Sequence, residues 1–293
     1  MKFSASVVAL VCVASKGSGA KEGVVGGRSS FEPLDAVVGP IQISGKRDLN
    51  VDLFKTALEK YAVFEDPIVY GTDVMSVMRD HDSLTCHIKV QGSTTVEDWF
   101  HNILIGTEPI YSIKKCKTEG RKGCVRVGRG MKGFVGAFNK MRHLMWDQMQ
   151  TKCNSTDTYV FSGHSRGGAI AQIASVVVYS EKLVPKEQIK LVTFGAPRAI
   201  KSRLSDRIHL KFEQWRLVNR KDPVPSLPYS FMGYKHFGSM VCHECNYETQ
   251  RDAPGSELFT EPSDHFFENY VAWVMKNNWV LAESASGATS SVA

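Results

Sequence analysis

Residues 158–179, TYVFSGHSRGGAIAQIASVVVY, change character abruptly in the middle. An aromatic and β-branched run predicts a strand over 158–161, and a run of small apolar residues predicts a helix over 166–179. Between them lies Gly163-His164-Ser165-Arg166-Gly167, so the strand must become a helix within a few residues. A turn that sharp holds its central residue in strained backbone geometry. It also brings its two arms so close that glycine is needed two residues before and two residues after. The helix N-terminus then aims free N–H groups and a positive dipole end at the Ser165 hydroxyl. A bare G-x-S-x-G is a weak signal, but one set between a strand and a small-residue helix is specific.

The rest of the chain fits an α/β fold around that turn. Helical spacing over 53–64 precedes strand-like runs at 68–70 and 84–90. Residues 94–105 read as a helix, with Thr94 as N-cap and Glu97 as its capping-box partner. A basic loop leads to an amphipathic helix over about 133–150, and strands follow at 189–194 and 214–219. Strands alternating with helices predict a mostly parallel sheet flanked by helices. No Pro/Gly/Ser-rich linker divides the chain, so one domain over 21–282 is expected, with a frayed Ser/Ala/Gly-rich tail at 283–293. With 43% hydrophobic and 23% charged residues, the 293-residue chain is neither disordered nor a coiled coil.

Met1-Lys2 and the apolar run up to Ala14 read as a secretory signal peptide within residues 1–20, too short to span a membrane. Losing it removes Cys12 and leaves six cysteines: Cys86, Cys116, Cys124, Cys153, Cys242 and Cys245. An even set in an oxidising compartment predicts three disulfides. Gly120 and Gly123 favour a local Cys116–Cys124 pair, and the other four stay unassigned. Cys242-His243-Glu244-Cys245 lacks the second ligand pair a zinc site needs, so no metal is expected. Asn154-Ser155-Thr156 is a glycosylation sequon in a polar stretch. The net charge of +6 is local, because residues 114–132 hold eight basic residues and one acid. No nucleic-acid module accompanies them, so no nucleic-acid partner is expected.

A serine nucleophile needs a base oriented by an acid, in the order Ser, Asp, His for this architecture. Among Asp206, Asp222, Asp252 and Asp264, Asp222 stands out because it closes the loop at the C-terminal end of the 214–219 strand. Asp264 adjoins His265 and is poorly placed to reach that ring. His236 and His265 both remain candidates for the base on spacing alone.

The chain resembles the class 3 lipases, the α/β-hydrolase family of the fungal triacylglycerol lipases, from about Leu84 to His265. The resemblance is carried by Gly92-Ser93, GHSRGGA, Thr193-Phe194-Gly195-Ala196-Pro197-Arg198, Val218-Asn219, Asp222-Pro223-Val224-Pro225, Leu227-Pro228, Tyr234 with His236 and Gly238, and Asp264-His265. It implies that Ser165, Asp222 and His265 are the catalytic triad and that His236 is structural. It also implies an oxyanion hole from the backbone N–H groups of Ser93 and Arg166. Two departures stand beside that site: Gln91 where the family usually has Arg, and Arg166 where it usually has Leu.

Val96, Trp99, Phe100, Ile103 and Leu104 fall on one face of the 94–105 helix. The resemblance implies that this helix is a lid opening at a lipid surface. The sequence therefore reads as a secreted, monomeric, cofactor-free serine ester hydrolase, foremost a triacylglycerol lipase. Phospholipase A1, a feruloyl or carbohydrate acyl esterase, and a non-catalytic lipid-binding protein are the rival readings.

Overall fold

In a computed structural model of the chain, residues 41–44, 49–61, 64–92, 106–114, 124–244 and 262–276 are described. The strands among them are β1 (Ile41–Ser44), β2 (Ile68–Tyr70), β3 (Asp73–Asp80), β4 (Thr85–Gln91), β5 (Thr107–Tyr111), β6 (Arg126–Met131), β7 (Thr158–His164), β8 (Ile189–Phe194), β9 (Glu213–Asn219) and β10 (Ser239–His243). The helices are α1 (Val51–Tyr61), α2 (Lys132–Lys152), α3 (Ser165–Ser180), α4 (Ser202–Ile208) and α5 (Phe267–Lys276).

Eight strands form one sheet in the order β1-β10-β9-β8-β7-β4-β3-β2. The five central strands, β10 to β4, run parallel, and β1, β3 and β2 add antiparallel edges. Helices cover both faces, as a parallel core requires. Phe161 and Leu191 face α2 and α3, whereas Val160 and Val192, one residue earlier or later on their strands, face α1 and α5. That two-sided burial is why the β7 sequence is apolar without alternation.

The helices differ in sequence because they differ in depth. Every residue of α3 from Gly167 to Val178 is buried, so apart from the hydrogen-bonded Gln172 and Ser175 it is apolar all round. On α2 the buried stripe is Phe134, Phe138, Met141, Met145 and Met149, at spacings of three or four residues, with solvent on the other side. Each such side chain contributes about 1.5–3 kcal/mol when fully buried. Among the described residues no helix is long and apolar enough to cross a membrane.

Cys86 on β4 is disulfide-bonded to Cys153, just past α2, a pairing the sequence left unassigned. It closes a separation of 67 residues, which in the chain-entropy view stabilises the fold by roughly 4 kcal/mol. Cys124 and Cys242 are disulfide-bonded as well, so neither offers a thiolate to a metal.

Several expectations need correction. The 133–150 helix spans Lys132–Lys152, and the 166–179 helix begins at Ser165 itself. Part of the expected basic loop is strand β6, paired antiparallel with β5 in a separate two-stranded sheet. Pro109 in β5 is tolerated because that strand pairs on one side only. Strands β1, β3 and β10 carry no sequence signal as clear as β7. β3 interleaves Met, Ser and Arg, and its buried Ser76 hydroxyl donates to the Glu65 carbonyl. The expected signal segment 1–20, the expected tail 283–293, Ser93, the expected helix with Val96, Trp99, Phe100, Ile103 and Leu104, and Cys116 and Cys245 lie outside the described residues.

Candidate active site

The turn from β7 to α3 has the geometry its sequence demands. Ser165 has φ of 54°, in the left-handed region that non-glycine residues seldom occupy. A Cβ on Gly163 would lie 2.5 Å from the Gly167 backbone, and one on Gly167 would lie 2.1 Å from the Val90 carbonyl oxygen. Glycine at both positions is thus a steric requirement of packing the turn against β4. Gly92, the residue before Ser93, ends beside Arg166 and Gly167.

Three strand ends and one short turn converge on Ser165. Asp222 follows β9, where its N–H donates to the Asn219 carbonyl and its Oδ1 accepts the Val224 N–H at 2.9 Å. His265 closes a 3₁₀ turn over Pro262–His265, immediately before α5. Its Nε2 lies 2.8 Å from Ser165 Oγ, and its Nδ1 lies 2.9 and 3.0 Å from the two Asp222 oxygens. An ionised carboxylate is acceptor-only, so Nδ1 carries the hydrogen and Nε2 accepts from the serine hydroxyl. Asp222 and His265 are both fully buried.

His236 is not brought to this cluster. Its Nε2–H donates to the Pro225 carbonyl at 2.7 Å, and burial, with Arg216 and Arg198 nearby, holds its ring well below the usual imidazole range. It stays neutral and fastens the chain just after Asp222. His164 is neutral for a similar reason: burial first, then the adjacent His265, pushes it well down. Its ring stacks on His265 with centroids 4.7 Å apart, and its Nε2–H donates to the His265 carbonyl at 2.8 Å. The residue before Ser165 thereby fixes the backbone of His265.

Other members of the site were not legible in the sequence. Tyr270 on α5 donates its hydroxyl hydrogen to Asp222 Oδ2 at 2.5 Å and accepts the Asn219 N–H at 3.1 Å. Burial and then the Asp222 charge push this phenol well up, so it remains a donor. Asp264, set aside as the acid, joins the two loops instead: its carboxylate accepts the Lys221 N–H and its carbonyl accepts the Asn219 amide. Gly195 has φ of 56°, and a Cβ there would sit 2.7 Å from Asp222 Oδ2 and 3.1 Å from His265 Nδ1. An aromatic on an amphipathic helix reads as core, and no local pattern marks Tyr270. Gly195 was visible only within the TFGAPR block.

Arg166 receives a partner the sequence did not suggest. Its Nε and Nη2 pair with both oxygens of buried Asp73 at 2.7 and 2.8 Å, Nη2 also donates to the Gly133 carbonyl, and the guanidinium lies over the Phe134 ring. The charge beside Ser165 is therefore neutralised and turned away toward β3. Gln91 is exposed. Asn154 is exposed in the turn between α2 and β7, where an acceptor sequon is accessible. No group of three or more potential metal ligands occurs among the described residues.

Comparison with known proteins places this arrangement in context. The family model described as "Lipase (class 3)" matches residues 87–232, which include Ser165 and Asp222 and stop short of His265. The chain is similar to "Secreted mono- and diacylglycerol lipase 1" of Fusarium solani, 26% identical over 152 residues, covering 51% of this chain and 41% of that protein. It is similar to "Lipase" of Rhizomucor miehei, 23% identical over 175 residues, covering 58% of this chain and 45% of that protein. The chain thus spans less than half the length of these two relatives. Among solved structures, the Rhizomucor miehei triacylglyceride lipase superposes with a TM-score of 0.53 at 18% identity, covering 77% of this chain and 95% of that one, a likeness of fold.

Proposed function

Because the chain belongs to the class 3 lipase family, we propose that it is a secreted serine carboxylester hydrolase acting on acylglycerols at a lipid interface. The observation that carries this reading is the run of contacts from Ser165 Oγ through the His265 ring to Asp222, at 2.8 and 2.9 Å. Ser165 Oγ attacks the ester carbonyl as its proton passes to His265 Nε2, and Asp222 holds the imidazolium that forms. The N–H groups of Ser93 and Arg166 bind the oxyanion, each worth about 2.7–4 kcal/mol of barrier. The tetrahedral species then collapses, the leaving alcohol takes the proton from His265, and the acyl group stays on Ser165. Water repeats the sequence, releasing the acid and restoring Ser165. Each step is an acyl or proton transfer that needs no metal or organic cofactor.

The names of the relatives favour acylglycerols, and the Cys86–Cys153 disulfide supports an oxidising compartment. A panel of triolein, phosphatidylcholine and methyl ferulate, assayed with the purified protein, tests the assignment. Turnover is expected on triolein first; faster hydrolysis of the phospholipid or the ferulate would move the protein to phospholipase A1 or to an aromatic-ester esterase.

The helix bearing Val96, Trp99, Phe100, Ile103 and Leu104 is part of the same proposal. As a lid, it buries that apolar face in the lipid surface and uncovers Ser165. Trp99→Ala is then expected to lower activity on emulsified triolein several-fold while sparing a soluble short-chain ester. Equal loss on both substrates would argue for a docked helix without a lid function.

A further inference from the structure

On the face of the sheet covered by α2 and α3, strand β6 packs against α4. Gly128 permits this approach, because a Cβ there would lie 2.5 Å from Leu204. The remaining side chains line a groove of ≈ 340 Å³ with Arg126, Arg129, Lys201, Arg203 and Arg207. Among the described residues no carboxylate lines the groove, and none of the five cations is paired with an acid. Arg207 and Arg129 donate only to uncharged oxygens, of Val127 and Thr107. Arg126 and Arg203 are exposed. Two segments distant in sequence, only one of them inside the basic stretch 114–132, thus present one concentrated positive surface.

An exposed aromatic turn is fastened to the same groove. Lys201 Nζ donates to the Met232 carbonyl at 2.7 Å and stands over the Tyr234 ring, while the Ser202 N–H donates to the Gly233 carbonyl. These contacts hold out the turn Ser230–Met232, whose Phe231 is 81% exposed and stacks on Tyr229. Duplex nucleic acid, whose bases are stacked inside, is met at its phosphates by cations. Cations beside a projecting phenyl ring match a surface that is anionic at its headgroups and apolar just beneath. Strand β6 runs directly into α2, whose Gly133 carbonyl accepts Arg166 beside Ser165, while none of the groove's lining residues belongs to the Ser165 cluster.

We infer that the β6–α4 groove and the Phe231 turn form a docking surface for anionic lipid membranes, separate from the Ser165 site. Anionic headgroups enter the groove while Phe231 inserts between acyl chains. Docking is independent of turnover, so the test reads binding rather than hydrolysis.

The experiment is flotation with vesicles of phosphatidylcholine alone or with 30% phosphatidylserine, using the full chain. The wild type is expected to bind the mixed vesicles in a salt-sensitive manner and the neutral ones weakly. Arg126→Gln with Arg203→Gln removes two charges and should lower partitioning by roughly 25-fold, about fivefold per basic residue. Phe231→Ala should lower it by roughly tenfold, by a loss that salt does not restore. Turnover of a soluble short-chain ester should be unchanged in both variants, which reports that they fold. Lys55→Gln with Lys276→Gln, on the opposite face of the sheet, should leave binding intact. Equal loss in that control would assign the effect to net charge and overturn the inference. So would binding of neutral vesicles as tightly as mixed ones. Displacement by millimolar inorganic phosphate beyond its ionic-strength effect would mark a free-anion site. Heparin capture with no effect of Phe231→Ala on vesicles would mark a polyanion site.

Discussion

Ser165→Ala is expected to lower kcat by about four to six orders of magnitude and to abolish labelling by an active-site phosphonate, with the melting temperature nearly unchanged. The size of the effect follows from what the side chain supplies. Among the described residues the Oγ atom is the only nucleophile in hydrogen-bond contact with His265 Nε2, at 2.8 Å. Without it the base can at best activate a water molecule, which lacks the fixed position that the elbow gives to Oγ. The small effect on stability follows from the same geometry. Alanine keeps a Cβ at φ of 54°, so the backbone strain is the same in both proteins, and the lost hydrogen bond is one a water can replace. Measuring turnover, labelling and thermal unfolding on one preparation separates the outcomes. A variant that folds and still turns over within tenfold of the wild type would remove Ser165 from the mechanism.

The elbow was legible because sterics leave few sequences able to build it. Close packing of Gly163 against the Gly167 backbone, and of Gly167 against β4, fixes those identities locally, and the strand and helix on either side differ in composition. Asp222 was legible as the residue at the C-terminal end of a parallel strand. Spacing alone did not choose between His236 and His265, since both follow at workable distances, and in the sequence only the resemblance preferred His265. What separates them is three-dimensional: one ring is spent on the Pro225 carbonyl and the other faces Ser165. The roles of Tyr270, Asp73 and Asp264 were hidden for a related reason. Each acts through a contact across a separation of 43 to 93 residues, and none sits in a local pattern that distinguishes a buried donor or ion-pair partner from ordinary core or surface. The same holds for the edge strand β1 and for β3, whose residues become strand because neighbours pair with them.

Asp222→Asn should cost about four orders of magnitude in kcat while the protein remains folded, and the surrounding donors explain why an isosteric change does so much. Oδ1 accepts the Val224 backbone N–H, a donor that cannot reverse its role. An asparagine must therefore keep its carbonyl oxygen at Oδ1 and place its NH₂ at the position of Oδ2. There it meets the Tyr270 hydroxyl, which can rotate, and His265 Nδ1, which at 2.9 Å must become an acceptor. The ring answers by moving its hydrogen to Nε2, so a donor now faces Ser165 Oγ where an acceptor is required. The base is present, correctly placed and in the wrong tautomer. Tyr270→Phe provides the contrasting case, since it removes one hydrogen bond to Oδ2 and leaves the carboxylate, and with it the His265 tautomer, in place. That variant should lose no more than about tenfold in kcat. If the two substitutions cost the same, Asp222 acts through packing around Tyr270; if Asp222→Asn costs a thousandfold more, the acid works by dictating where the proton sits on His265.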